Sequence, residues 1–138
     1  MINFFKNKKE NEVDNNNFLS RIASLLIHVA KIDEIYTSDE KEIIKKTIIK
    51  LGANTKNIDQ IIADAELNEE RSNQILDFTR EIKNLPELDK LEIIEALWRI
   101  VYSNKNADMY EANLMRRLAG LIYIDDNTMG DIKMKIKY

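Results

Sequence analysis

With 138 residues, 44% of them hydrophobic and 33% charged, the chain has the size and balance of one soluble domain able to bury a single core. Three Gly and one Pro are too few for the tight turns of a sandwich or barrel, and a net charge of −3 without a basic stripe argues against nucleic acid as the main partner. The lack of Cys and the single His exclude a disulfide framework, a thiolate metal site, a Cys nucleophile and a His pair for zinc.

Residues 1–14 read as a polar arm ahead of a single domain over 15–138. The apolar run after Met1 is broken by Lys6, too early for a signal-peptide core, and no stretch reaches membrane-spanning length. The cytoplasm is the expected compartment. A first helix is predicted over about 16–32, because Phe18, Ile22, Leu25, Leu26 and Val29 recur at three- and four-residue spacing on one face. His28 falls beside that stripe and reads as a partly buried, hydrogen-bonded packing residue rather than a catalytic base. A second helix runs from Ser38 to about Leu51 with Ile43, Ile44 and Ile48 inward, and Gly52 ends it.

Asn54 is a candidate N-cap for a third helix over roughly 55–66, with Ile58, Ile61 and Ile62 apolar. A fourth is predicted over about 69–83 through Ile75, Phe78 and Ile82. In "NLPELD", Asn84 is placed to cap and Pro86 to open a first turn, with Glu87 and Asp89 at the positive helix end. The fifth helix then reaches Ser103 on the stripe Leu88, Leu91, Ile94, Trp98 and Val101. A sixth covers 109–122 and a seventh begins near Asp126 with Met129, Ile132 and Ile136. The expected fold is all-α, a compact bundle of about seven helices.

Residues 25–62 lie on 96–133 without a gap. Val29-Ala30 falls on Ile100-Val101, Ile43-Ile44-Lys45-Lys46 on Leu114-Met115-Arg116-Arg117, Leu51 on Ile122, and Asn54 on Asp125. Strict identities are few, but the order of long helix, polar octet, helix and capped helix repeats. Two helical hairpins related by a pseudo-twofold axis are the natural reading.

The octets "DEIYTSDE" (33–40) and "NKNADMYE" (104–111) admit two readings. Thr37-x-x-Glu40 is a capping box, and Asp108-x-x-Glu111 offers nearly the same arrangement. Alternatively, Asp33, Glu40, Asp108 and Glu111 supply oxygens to a hard divalent cation, calcium or magnesium. The second octet opens like an EF-hand loop, yet it has no Gly at its sixth position and carries Met115 where the bidentate Glu belongs. Any cation is expected to favour the first octet, because Asn104 and Lys105 remove a carboxylate and add a positive charge in the second.

At this point "LLIHVAKIDEIYTSDEKEII", "LPELDKLEIIEALWRIVYSN" and "DMYEANLMRRLAGLI" resemble the tellurite-resistance TerB-like family over roughly residues 18–135. The resemblance implies a compact helical domain with candidate metal-binding acidic positions and no enzymatic activity. It also implies an accessory role in stress response and in scaffolding membrane-associated complexes, as for the related domain that precedes the J-domain of a membrane-anchored DnaJ-like co-chaperone. Glu40 and Glu111 match the family's acidic position, and Asp108 the Asp three residues earlier. Its Asp-Gly signature reads Asp33-Glu34 in the first copy and Asn104-Lys105 in the second.

Elsewhere, Glu92 and Glu95 read as a solvated face with Glu95–Arg99 an i,i+4 pair, and Trp98 as core with an indole N–H that needs a partner. One of Arg116 and Arg117 is expected to pair with an acidic residue inside the bundle. No catalytic residue and no organic cofactor site are expected. The leading function is a non-catalytic interaction module with a protein partner, reaching membranes only peripherally through such partners. A cation-binding regulatory domain is the alternative.

Overall fold

The apolar stripe of the first helix builds the centre of the molecule. In the computed structural model, residues 2–32, 36–72, 76–80, 82–103 and 109–137 are described, with 2–14, 76–77, 109–112 and 137 defined by backbone alone. Their elements are α1 (Ile2–Ala30), α2 (Ser38–Lys50), α3 (Ile58–Arg71), α4 (Leu76–Thr79), a 3₁₀ turn (Ile82–Asn84), α5 (Glu87–Ser103), α6 (Met109–Leu121) and α7 (Asp126–Lys137). No strand occurs among the described residues, and the fold is all-α as the periodicity predicts. Leu25, Leu26 and Ile27 of α1 meet Ile44 and Ile48 of α2 and Ile93, Ile94 and Leu97 of α5 in one fully buried cluster.

α1 packs most extensively on α3, and α5 on α7. The repeat lays the last turns of α1 on α5 and lays α3 on α7, so the two best-packed helix pairs are the two copies of one unit. The copies also end their second helices alike. After α2, Gly52 N–H donates to Ile49 O (3.0 Å) and Ala53 N–H to Ile48 O (3.1 Å). After α6, Tyr123 N–H donates to Gly120 O (3.4 Å) and Ile124 N–H to Ala119 O (2.9 Å). Both are Schellman closures, which need a left-handed residue at the turn. Gly52 takes it at φ 119° and Tyr123 at φ 61°. Glycine adopts that conformation freely, whereas the Cβ of a tyrosine is crowded there.

Several boundaries depart from the periodic reading. α1 carries helical backbone from Ile2 through the segment expected as a polar arm, which has no apolar stripe to announce a helix. α3 starts at Ile58 rather than 55, because Asn54 Oδ1 accepts from Lys56 N–H (3.0 Å) in a local turn and does not cap the helix. It then continues to Arg71 through good helix formers, past the expected break. Ser72 leaves in extended conformation, so beyond α3 the described residues of the predicted fourth helix show only the single turn of α4 and the 3₁₀ turn, Ile75 lying outside them. Asn84 lies in that turn, and it is Pro86 O that accepts from Asp89 N–H (3.0 Å) and Lys90 N–H (3.2 Å) to open α5. Leu88, assigned to the core stripe, is 77% exposed on the first turn of α5, while α5 from Ile93 to Val101 is buried on most sides. Arg116 and Arg117 are both exposed, so neither enters the bundle.

Candidate functional site

Thr37 precedes α2 with extended backbone, and its Oγ1 accepts from Glu40 N–H at 3.1 Å. Glu40 Oε1 in turn accepts from Thr37 N–H at 2.9 Å and from Thr37 Oγ1 at 3.0 Å. The capping box of the first octet is thus formed, and Glu40 is only 2% exposed. Tyr36 beside it is half-buried, and its buried hydroxyl has no hydrogen-bond partner among the described residues. Burial, and then the carboxylates of Glu66 and Glu40, push the Tyr36 phenol above its ordinary range. Glu66 Oε1 lies 3.1 Å from Lys41 Nζ, an ion pair that lacks hydrogen-bond geometry.

Of the predicted cation ligands, Glu40 alone has a described side chain. Asp33 and Asp108 lie outside the described residues, and Glu111 is defined by its helical backbone in α6. Among the described residues no three His, Cys, Asp or Glu side chains converge to hold a metal ion. Glu40 Oε1 is already committed to the cap, so a cation would have to use the other oxygen of that carboxylate. The described residues therefore fit a helix start and do not by themselves fit a cation site.

His28 Nδ1 donates to Glu69 Oε1 across 3.3 Å, and Lys31 Nζ reaches the other oxygen of Glu69 at 3.0 Å. The ring also sits 6.0 Å from that of Phe78. His28 is therefore the hydrogen-bonded packing residue expected, clamping α1 to α3.

The packing of α2 on α5 opens a cleft of about 320 Å³ lined by Ile43, Lys46, Thr47, Lys50, Glu92, Glu95, Ala96 and Arg99. Glu95 Oε1 accepts from Arg99 at 2.8 Å, and Lys135 of α7 lies 3.8 Å from its other oxygen. The Arg99 hydrogen bond, helped by Lys135 and Lys50, holds the Glu95 carboxyl below its usual range. Neither Lys46 nor Lys50 has an ion pair among the described residues. Sequence reasoning took Glu92 and Glu95 for a solvated face. The signal it missed is the i,i+4 pair Lys46 and Lys50, which brings cations to the opposite wall. The cleft has mixed charge with cations in excess.

The family model described as "Tellurite resistance protein TerB" matches residues 19–134. The chain belongs to this family. No curated protein and no solved structure matches it. No helix among the described residues is long and apolar enough to cross a membrane.

Proposed function

We propose that the chain is a non-catalytic interaction module of the TerB type, serving a tellurite or other stress response by docking a protein partner of a membrane-associated complex. The α2–α5 cleft carries this reading. It sets Lys46 and Lys50, without ion pairs among the described residues, opposite Glu92 and the Glu95–Arg99 pair. Such a surface favours a partner segment of complementary charge and gives orientation as well as attraction. The first octet contributes by fixing where α2 begins, and so where Lys46 and Lys50 stand.

Crosslinking and pull-down from cells that express the chain tests this. The full-length protein should capture a defined partner, and Lys46→Glu with Lys50→Glu should lose it while keeping the parent's circular dichroism. Undiminished capture by the folded double variant would refute the cleft as the docking surface.

A divalent cation at the first octet is the second reading. It is favoured by the negative field that Glu66 and Glu40 place on Tyr36. In this reading Asp33 adds the charge that a calcium or magnesium ion requires, with Asp108 and Glu111 forming the weaker counterpart in the second copy. The stability of a cap variant with and without cation separates the two readings, as argued below for α2.

A further inference from the structure

Tyr123 stands where the first copy has Gly52, and it holds a left-handed backbone at φ 61° that a side chain disfavours. The fold does not require an aromatic there, because Gly52 closes the equivalent turn without one. Yet Tyr123 is 67% exposed, so burial does not explain the residue. Its ring is engaged from one side by Lys90, itself only 7% exposed, whose Nζ lies 5.8 Å from the ring centroid.

Beside the ring runs a cleft of about 250 Å³ lined by Thr79, Arg80, Lys83, Gly120, Leu121 and Tyr123. No carboxylate stands among the described lining residues. Lys31, Lys41, Lys45 and Arg99 all pair with carboxylates, but Arg80, Lys83 and Lys90 have no ion pair among the described residues. Asp125 is close in sequence, but its Oδ1 accepts from Thr128 N–H at 2.7 Å and so caps α7. At Gly120 nothing stands within 4 Å of where a Cβ would be, which leaves the floor of the cleft open.

We propose that this cleft between α4 and α6 binds a small anion that carries a flat ring, of the nucleotide class. Arg80 and Lys83 meet the phosphate oxygens, Arg80 with a fork that suits them. The ring of the ligand stacks on Tyr123, which Lys90 holds in place and makes a better platform for an electron-rich base. The cleft is too small for a folded partner, whereas a phosphate and one ring match its two kinds of wall.

The test is a titration of the full chain with AMP, ADP, adenosine and inorganic phosphate in EDTA, followed by backbone amide shifts. Saturable shifts at Thr79, Arg80, Gly120 and Leu121 are expected with the nucleotides, with phosphate alone at least about tenfold weaker. Arg80→Ala with Lys83→Ala should abolish binding. Tyr123→Gly relaxes the backbone while losing the Lys90 contact, so its melting temperature should stay within about 3 °C of the parent. Its nucleotide affinity should nevertheless fall about tenfold. Equal affinity for phosphate and nucleotide, undiminished binding by Tyr123→Gly, or no saturable shift at these residues would overturn the proposal.

Discussion

Trp98 is 4% exposed, stacks on Tyr102 at 5.8 Å and donates its indole N–H to Met129 Sδ at 3.2 Å. Trp98→Ala should therefore cost about 3–5 kcal/mol, from lost burial and the cavity left behind. Near-parental stability in urea denaturation would show that the α5 stripe faces elsewhere. This residue was legible because a tryptophan on a helical stripe has few other places to go. Leu88 obeyed the same spacing and is exposed, because periodicity gives a direction around the helix and not the point along it where the neighbours begin. Arg116 and Arg117 show the converse: position in a repeat does not say which charged side chain meets a partner. Tyr123 was invisible to periodicity altogether, although laying it on Gly52 would have marked it as a residue under strain.

Helix starts are written in short polar signals, and the one before α2 is complete in four hydrogen-bonding atoms of Thr37 and Glu40. Thr37→Ala should cost about 1 kcal/mol in metal-free buffer, as cap removals do. Thermal unfolding with EDTA and then with calcium checks it: a loss confined to the calcium arm would put the cation reading first. Asp125 capped α7 as expected, through Thr128 N–H at 2.7 Å. Asn54, at the matching position, did not cap α3, because the same side chain closes a turn with Lys56 N–H instead. The predicted fourth helix failed for another reason. Its apolar residues Phe78 and Ile82 are indeed buried, but among the described residues they belong to separate elements, a single helical turn and a 3₁₀ turn.

At the scale of the molecule, two part-buried groups at opposite ends of the pH scale shape the stability of the described residues, beside the exposed cap Asp125, whose carboxyl is also held below its ordinary range by Thr128. The folded-state pKa of Glu95 lies below its ordinary 4.5, so its contribution is present above that pH and is lost as pH falls through the lowered value. The folded-state pKa of Tyr36 lies above its ordinary 10.0, so the neutral phenol leaves stability untouched below pH 10, and stability is lost as pH rises further because the unfolded chain ionises first. Melting temperature should show a plateau between these limbs. Glu95→Gln should flatten the acid limb and Tyr36→Phe the alkaline one. Tyr36→Phe should also be neutral or slightly stabilising at pH 7, since it removes a buried hydroxyl that has no partner among the described residues. An alkaline limb unchanged in Tyr36→Phe would refute this assignment. The all-helical architecture and its duplication were legible in the spacing of apolar residues. The clefts were not, because each is made where helices distant in the chain come together.

The single tryptophan lies on α5, while the sulfur it bonds and the Lys133 ammonium 5.3 Å from its ring both belong to α7. Its fluorescence is consequently a built-in gauge of whether the last helix is seated. Quenching by the ammonium and sulfur neighbours should give way to a brighter, red-shifted emission when α7 lifts from α5. One chromophore thus reports separately on the second half of the duplicated fold, without any label.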